Sequence, residues 1–372
     1  MWRIGIFLIF LMMAIRPTEA QPNWLDSINL PPGFEISIYA ENVPGARSLT
    51  IGNQGIVFVG TRGDGNVYAL IDANQDHYAE SVRYIATGWN NPNGVAFYDG
   101  DLYVAELNRI RRFINIENTL DNPTWEMVTE DFPPETHHAW KFIAFGPDGK
   151  LYVPIGVPCD LCRMNENEYG IILQMDADGT NRQVYARGIR NTVGFDFHPE
   201  TGELWFTDNG TDGLGDDIPA DELNHAPVAG LHFGFPYCHG GDIVDRSFGT
   251  TDSCQIYQPP IQQLPAHVAP LGMRFYTGDM FPEEYHHQIF IAEHGSWSRT
   301  EAIGYRISLV RIDEETGETS YDIFADGWLY GTDRTQTTGR PVDVLVMPDG
   351  ALLVSDDYAD VVYRISYNGD SE

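Results

Sequence analysis

The stretch that indicates the fold is "WKFIAFGPDGKLYVPIG", residues 140–156, in which two apolar runs flank a Gly-Pro-Asp-Gly turn. This pattern is typical of a β-hairpin. Two histidines, His137 and His138, stand just before the first apolar run, which reads as a fully buried strand. The stretch therefore predicts a buried hairpin, and by itself it leaves open whether the histidines serve packing, metal binding or catalysis.

The same strand–turn–strand unit recurs along the chain. The six copies are RSLTIGNQGIVFVGTR (47–62), NGVAFYDGDLYVAEL (93–107), WKFIAFGPDGKLYVPIG (140–156), VGFDFHPETGELWFTDNG (193–210), GMRFYTGDMFPEEYHHQIFIAEHG (272–295) and VDVLVMPDGALLVSDD (342–357). The first four turns are about 45–50 residues apart, close to the four-strand blade period of a β-propeller. The longer later gaps predict loop insertions, for example over residues 211–265. The chain is therefore predicted to be all-β, with residues 21–372 forming one six-bladed β-propeller.

The first twenty residues, "MWRIGIFLIFLMMAIRPTEA", have the pattern of a signal peptide. A basic residue, Arg3, precedes an apolar run over residues 4–15, and small residues precede the expected cleavage point. We expect the mature chain to be exported to the periplasm or secreted. No later segment is apolar enough to span a membrane.

The charge of the chain excludes one class of partner. The formal net charge is −32 and only two lysines, Lys141 and Lys150, are present, so nucleic acid is not an expected partner. The hydrophobic fraction of 42% is ample for a core. In an exported chain the four cysteines are expected to form two local disulfides, Cys159–Cys162 and Cys238–Cys254.

A propeller would bring distant residues together at one rim of its channel. The first strand of each blade lines the channel, so the residues just before these strands should converge. Blade by blade they are Arg47, Asn91 with Asn93, His138, Arg190 with Asn191, His267, and Arg340. Any one of them could be an ordinary loop residue. A polar and mostly cationic ring in so acidic a protein indicates an anionic ligand or a reaction that builds up charge.

A second feature is the acidic segment "TDNGTDGLGDDIPADELN", residues 207–224. Carboxylates, turn glycines and exposed carbonyls at this density suit a hard cation such as Ca²⁺. A solvated acidic loop is the alternative interpretation.

These motifs together resemble those of a known family. The chain is similar to the soluble pyrroloquinoline quinone (PQQ) dehydrogenases of the glucose/sorbosone dehydrogenase family, closest to the sorbosone dehydrogenase-like branch. The resemblance extends from about residue 30 to 366 and rests on HAWKFIAFGPDGKLYVPIG, ARGIRNTVGFDFHPETGELWFTDNG, GDDIPADELN, AHVAPLGMRFYTG, AEHGSWSR and GRPVDVLVMPDG. It implies a six-bladed propeller with PQQ across the top of the channel.

The resemblance also implies roles for individual residues. His138 falls on the family's catalytic histidine, the expected general base, and Arg190 and Asn191 fall on the Arg-Asn pair that faces the quinone. Gly210 and Thr211 match two residues whose carbonyls hold the Ca²⁺ bound to PQQ. Asp221 and Glu222 match an acidic pair that serves a further calcium in relatives. Arg340 matches a cationic contact to the carboxylates of the cofactor, Asp356 lies in the matching loop of the last blade, and Arg299 is a candidate contact. Arg47, Asn93 and His267 are predicted to bind the cofactor from their place at the rim and not from the resemblance.

The chain departs from the glucose dehydrogenases of the family in three places. The residue before the catalytic histidine is His137 instead of aspartate, and Val342 replaces a second arginine. The family's lysine toward the cofactor has no clear counterpart, for which Arg299 is the candidate replacement. These differences leave the cofactor assignment in place but weaken the case for glucose as the substrate.

The function predicted is PQQ- and Ca²⁺-dependent oxidation of a sugar or sugar-derived alcohol or aldehyde, with His138 as base and electrons passed to an external acceptor. Arginines and Ca²⁺ would balance the three PQQ carboxylates. One alternative is a Ca²⁺-dependent propeller lactonase of the gluconolactonase type, which would need acidic or amide groups around a central ion. Another is a propeller that binds a ligand without catalysis, against which the joint presence of His138, Arg190, Asn191 and the Gly210 loop counts.

Overall fold

Each predicted hairpin forms the first half of an antiparallel sheet in the computed structural model, which describes residues 24–369. The six sheets are the blades of a β-propeller, which confirms the predicted fold class. The predicted signal peptide, residues 1–20, lies outside the described residues. None of the helices in residues 24–369 has the length and hydropathy of a membrane-spanning segment.

The first three blades take their strands in chain order. Blade 1 contains β2 (Ala46–Ile51), β3 (Val57–Thr61), β4 (Val67–Ile71) and β5 (Ser81–Ala86). Blade 2 contains β6 (Gly94–Tyr98), β7 (Asp101–Ala105), β8 (Ile110–Phe113) and β9 (Trp125–Thr129), with helix α1 (Ile116–Thr119) between the last two. Blade 3 contains β10 (Ala144–Phe145), β11 (Leu151–Ile155), β12 (Ile171–Met175) and β13 (Gln183–Arg187).

The last three blades are built in the same way, with one exception at the end. Blade 4 contains β14 (Phe195–Phe197), β15 (Leu204–Asp208), β16 (Asp221–Ala226) and β20 (Gln262–Leu264). Blade 5 contains β21 (Pro270–Phe275), β22 (Ile289–Glu293), β23 (Arg306–Ile312) and β24 (Thr319–Ala325). Blade 6 contains β25 (Pro341–Val346), β26 (Leu352–Asp356) and β27 (Val361–Tyr367), and its outer strand is β1 (Phe34–Ala40) from the other end of the chain.

The exception closes the ring. Strand β1 pairs antiparallel with β27 from Phe34 opposite Tyr367 to Ala40 opposite Val362. The first and last strands of the chain therefore complete one blade together, and the inner strands β25 and β2 come into contact. Closing the ring in this way ties both ends of the propeller into one sheet.

Glycines allow the inner strands of neighbouring blades to approach closely. A Cβ atom at Gly94 would lie 2.5 Å from the carbonyl oxygen of Lys141, and one at Gly194 would lie 2.1 Å from that of Leu271. Neither distance is compatible with a side chain. Between blades 3 and 4, Phe142 and Phe195 fill the interface edge-to-face with ring centroids 5.0 Å apart.

One of the predicted strands is much shorter than the sequence indicates. The apolar run before the Gly-Pro-Asp-Gly turn was expected to be a buried strand, but only Ala144 and Phe145 pair with β11. Backbone carbonyls in this stretch accept hydrogen bonds from side chains instead: Asn93 Nδ2 donates to the Lys141 carbonyl, and Lys141 Nζ donates to the Ala139 carbonyl. The rest of the run is buried but irregular.

The predicted insertion over residues 211–265 consists of two different parts. Residues 209–220 form a loop at the channel rim, and β16 after it is an ordinary blade strand. The true insertion lies between β16 and β20 and carries β17 (Leu231–His232), β18 (Cys238–His239), β19 (Ile243–Val244) and helix α2 (Ser253–Ile256). Strand β17 extends blade 3 by pairing in parallel with β13.

Both predicted disulfides are present, Cys159–Cys162 and Cys238–Cys254. The second closes a segment with a sequence separation of 16. Replacing Cys238 and Cys254 together by serine is expected to lower the free energy of unfolding by about 3 kcal/mol, because the unfolded chain regains loop freedom. Denaturant titration measures this. The Cys159–Cys162 disulfide closes a much shorter segment, so replacing both of its cysteines by serine should lower the free energy of unfolding by about half as much. An equal loss in the two double variants would contradict this explanation.

Candidate functional site

A cavity of about 640 Å³ opens at the rim of the channel where the inner strands begin. Six of the predicted rim residues line it: Arg47, His138, Arg190, Asn191, His267 and Arg340. The prediction that these sequence-distant residues converge is therefore confirmed. The floor below is apolar, since Val193, Leu271 and Val342 pack together in the channel.

His138 is buried at the cavity wall and has the left-handed backbone conformation, with φ of 48°. Its Nδ1 is buried without a hydrogen-bond partner in the described chain. Burial, the nearby charge of Arg190 and the adjacent His137 lower the pKa of His138 to about 2. The imidazole is therefore neutral at physiological pH and retains a nitrogen that can accept a proton.

His137 lies against His138, with ring centroids 4.0 Å apart. Substituting His137→Asp should raise the pKa of His138, because a carboxylate beside the ring stabilises its charged form. Histidine-selective NMR titration of the protein measures this directly. An unchanged pKa would contradict the electrostatic role given to His137, and His137→Asn controls for loss of the ring alone.

The lowered pKa of His138 also makes the stability of the protein depend on pH. A histidine whose pKa is depressed in the folded state binds its proton first in the unfolded state. Stability is therefore complete above the ordinary pKa of about 6.5 and is lost as the pH falls below it. The His137→Asp variant should lose less of this stability between pH 6.5 and 4.

Arg190 and Asn191 are held in place from behind by a buried carboxylate. Asp208, the last residue of β15, accepts hydrogen bonds from the backbone N–H groups of Arg190 at 2.8 Å and Asn191 at 2.6 Å. The guanidinium of Arg190 contacts Asp160 and lies 3.3 Å from Asp212. Asp208 therefore holds the backbone of Arg190 and Asn191 in position, and two further aspartates balance the charge of the guanidinium.

A connected group of charges forms another part of the wall. Asp357 accepts a hydrogen bond from Arg47 Nη1 at 2.6 Å and pairs with His294 Nε2 at 2.8 Å. The carbonyl of His294 accepts from Arg340 Nε at 3.0 Å. These neighbours hold the pKa of Asp357 far below its usual range even though the group is buried. Asn93 lies behind the wall, where its Oδ1 accepts from Arg47 Nε at 2.7 Å.

His267 is the second cavity histidine with a left-handed backbone, at φ of 65°. Its Nε2 lies 2.9 Å from the carbonyl of Gly215 and 3.2 Å from that of Ile218. Its Nδ1 is buried without a hydrogen-bond partner in residues 24–369. His267 therefore links the cavity to the rim loop that carries the acidic segment.

That rim loop contains the predicted metal ligands. Asp221 accepts hydrogen bonds from the backbone N–H groups of Gly210 at 2.7 Å and Ala269 at 3.0 Å. No hydrogen bond within residues 24–369 reaches the carbonyl oxygens of Gly210 and Thr211. The two carbonyls are therefore available to a cation, with the Asp221 carboxylate close by.

Glu222 faces a separate small cavity of about 10 Å³, which has room for about one atom-sized ligand. Asp208, Gly210 and Thr211 also line it, and Thr211 Oγ1 is buried without a partner in the described chain. Burial raises the pKa of Asp208 to about 6, of Asp221 to about 7 and of Glu222 to about 8. A donor set of buried carboxylates, carbonyls and a free hydroxyl fits a hard divalent cation.

Three predicted cofactor residues do not line the cavity: Asn93, which lies behind Arg47, and Arg299 and Asp356. Arg299 donates to the carbonyl of Asp216 and pairs with Asp217 at 3.0 Å, so it braces the acidic loop from outside. Asp356 is fully buried and accepts from Tyr363 Oη at 2.9 Å and from the backbone N–H of Tyr358 at 2.9 Å. Asp356 therefore shapes the turn that carries Asp357, which pairs with the cavity residues Arg47 and His294.

Several residues of the site were not predicted. Those that line the cavity or pair with residues that do are Arg62, Trp140, Asp160, Asp212, His294, Trp297 and Asp357. Three of them share a position: Arg62, His294 and Asp357 directly follow the second strand of their blade. Because the two inner strands of a blade are antiparallel, the end of the second strand returns to the rim where the first begins. That rule would have found them.

The cavity fits an anionic, polar ligand. Four arginines line it, Arg47, Arg62, Arg190 and Arg340, against three carboxylates. Three nitrogens on lining residues, Nδ1 of His138, Nε1 of Trp140 and Nδ1 of His267, are buried without hydrogen-bond partners in the described part of the chain. Buried polar atoms without partners are costly unless a ligand satisfies them.

Comparison with known proteins finds a family match and a relative along most of the chain. Residues 115–363 match the family model described as glucose/sorbosone dehydrogenase. An uncharacterized protein from Borreliella burgdorferi is 34% identical over 374 residues, covering 96% of this chain and 95% of that protein.

Solved structures share the fold at low sequence identity. The holo form of the PQQ domain of pyranose dehydrogenase from Coprinopsis cinerea has a TM-score of 0.79 and 17% identity, covering 94% of this chain and 99% of that one. The calcium structure of a Trichoderma reesei enzyme of carbohydrate-active family AA12 has a TM-score of 0.80 and 19% identity, covering 92% and 97%.

Proposed function

The chain belongs to the glucose/sorbosone dehydrogenase family, and we propose that it is a PQQ- and Ca²⁺-dependent dehydrogenase of a sugar or a sugar-derived alcohol or aldehyde. The observation that carries the proposal is the cavity itself: a buried neutral histidine and the Arg190–Asn191 pair face a space lined by four guanidinium groups. The PQQ domain and the calcium structure that share this fold support the choice of cofactor and ion.

The residues that would hold PQQ are those whose charge and orphaned atoms face the cavity. Arg47 and Arg340 supply positive charge for carboxylates, and Asn191 supplies an amide beside Arg190. Asn93 holds Arg47 in place from behind, and His267 contributes a buried Nδ1 that has no hydrogen-bond partner in residues 24–369. Once bound, PQQ supplies the acceptor for the hydride of the substrate.

The protein's own contribution is proton transfer and charge stabilisation. The neutral imidazole of His138 would take the proton of the substrate hydroxyl. The charge of Arg190 lowers the pKa of His138. The carboxylates of bound PQQ would offset that charge and raise the pKa of His138, which would make it a stronger base. Arg190 and Asn191, fixed through Asp208, would stabilise charge that develops opposite the base.

Calcium is proposed to bind at the rim loop. The carbonyls of Gly210 and Thr211, with Asp221 beside them, form the site next to the cavity, and Glu222 with Asp208 forms the adjacent small site. A cation at either place would offset the cost of burying the nearby carboxylates in their charged form.

One experiment separates this function from its alternatives. The purified protein is given PQQ and Ca²⁺, and reduction of an artificial dye is followed with a panel of aldoses, sorbosone and aldonolactones. We expect PQQ binding at micromolar concentration and dye reduction that depends on a sugar. Absence of PQQ binding would overturn the proposal, whereas lactone hydrolysis without PQQ would favour a propeller lactonase.

The compartment and the electron acceptor are also proposed. Two disulfides are typical of proteins that fold in an oxidising compartment, which agrees with export to the periplasm or secretion. The four cysteines are all disulfide-bonded, so none can anchor a haem by thioether bonds. Electrons are therefore proposed to pass to a separate acceptor.

A further inference from the structure

One arginine of the cavity, Arg62, makes no side-chain hydrogen bond or ion pair in the described part of the chain. Arg47 pairs with Asp357, and Arg190 pairs with two aspartates. Arg340 donates hydrogen bonds to backbone carbonyls. The guanidinium of Arg62 makes no hydrogen bond or ion pair within residues 24–369. Its contact is with the indole of Trp140, over which its Cζ lies 3.7 Å from the ring centroid.

The position of Arg62 relates it to the reacting end of the substrate. Arg62 and His138 line the same cavity, and the charge of Arg62 contributes to lowering the pKa of His138. Trp140 connects them, since its ring centroid is 6.3 Å from that of His138. A substrate whose hydroxyl meets His138 would therefore bring another of its substituents within reach of Arg62.

The surroundings of Arg62 favour an anion. Burial and the neighbouring charge of Arg47 lower the pKa of Arg62, and the charge of Asp357 offsets them only in part. Two indoles, Trp140 and Trp297, also line the cavity, and Trp297 is 62% exposed. Such aromatic faces suit the apolar faces of a sugar ring. A guanidinium stacked on an indole, without a hydrogen bond or ion pair in residues 24–369, suits a sugar that carries negative charge.

We propose that Arg62 determines specificity by binding an anionic substituent of the substrate, so that the preferred substrates are acidic sugars such as uronic acids. The inference rests on the proposed dehydrogenase function and narrows its substrate class. A carboxylate suits the planar fork of arginine best, and a phosphate ester presents the same chemistry. Binding of the anion would also remove a positive field from His138 and strengthen the base.

The test compares sugars that differ only at C6. In the wild-type protein loaded with PQQ and Ca²⁺, kcat/KM for D-glucuronate should exceed that for D-glucose by at least about 10-fold. In Arg62→Gln the ratio of the two should fall by about 10- to 100-fold, mainly through KM, and Arg62→Lys should restore part of it. D-glucose 6-phosphate, tested in parallel, shows whether the preferred anion is a carboxylate or a phosphate.

The matched control is Arg83→Gln. Arg83 lies on β5 in an exposed ion pair with Asp121, so this substitution removes the same charge away from the cavity. The ratio of kcat/KM for D-glucuronate to kcat/KM for D-glucose should not change in this variant. Equal losses in Arg83→Gln and Arg62→Gln would overturn the assignment, because they would show an effect of net charge alone.

A binding measurement adds a readout that does not need turnover. Methyl α-D-glucuronide cannot be oxidised at C1, and calorimetry with the loaded protein should show that it binds at least about 10-fold more tightly than methyl α-D-glucoside. That difference should vanish in Arg62→Gln. If Arg62→Gln instead weakens PQQ binding and leaves the two glycosides equal to each other in both proteins, Arg62 serves the cofactor and the inference is wrong.

The experiment distinguishes failure of the dehydrogenase function from failure of the role assigned to Arg62. Failure of the proposed function appears as no dye reduction with any sugar. Failure of the Arg62 assignment appears as turnover in which glucuronate and glucose are used equally well by the wild-type protein.

Discussion

Replacing His138 by asparagine is expected to lower kcat by about 10²–10⁴-fold while PQQ binding stays within a few-fold of the wild type. The imidazole is the group placed to accept the substrate proton, and an amide cannot take that role. Asparagine is preferable to alanine because residue 138 has φ of 48°, a conformation that asparagine tolerates. Loss of rate can then be attributed to the missing base and not to backbone strain.

The measurement is steady-state dye reduction together with fluorescence titration of PQQ. The neighbouring substitution His137→Asn is the matched control, and it should retain most of the activity because the base is unchanged. Normal turnover in His138→Asn would show that the base lies elsewhere. His138→Ala should behave like the asparagine variant but with an additional loss of thermal stability from its backbone conformation.

Removing divalent cations with a chelator is expected to lower kcat/KM by at least about 100-fold, and Ca²⁺ should restore it better than Mg²⁺. The rim loop offers free carbonyls at Gly210 and Thr211 and a carboxylate at Asp221, a set that suits a large oxygen-seeking cation. Stability should follow occupancy, with about 2.7 kcal/mol gained when Ca²⁺ reaches 100 times its dissociation constant. Thermal unfolding with and without Ca²⁺ measures this.

The control separates the rim site from the adjacent small site. Glu222→Gln removes one carboxyl group that can ionise to bind a cation in the small cavity, and it should weaken the stabilising effect of Ca²⁺ more than it weakens turnover. Glu126→Gln, on the exposed strand β9, also removes one carboxylate but should leave the activity unchanged. Full activity after exhaustive chelation would contradict a catalytic calcium.

Local patterns along the chain were enough to predict the blades. Each hairpin consists of two apolar runs and a tight turn, a signal contained within some twenty consecutive residues, and the spacing of six such signals implies the propeller. The same topology predicted that Arg47, His138, Arg190 and Arg340 would meet, because the inner strand of every blade begins at one rim. The identity of the base came from the family resemblance and remains a prediction.

Contacts between residues of different blades could not be predicted from any local sequence pattern. The ion pair of Asp357 with Arg47 joins residues 310 positions apart, and no spacing along the chain announces it. The same holds for Arg62, which stacks on Trp140 without a hydrogen bond or ion pair in the described part of the chain, and for Arg299, which pairs with the acidic loop instead of entering the cavity. Hydrogen bonds and ion pairs form over a few ångströms in space, so which charges are neutralised and which stay free was decided when the six blades packed around the channel.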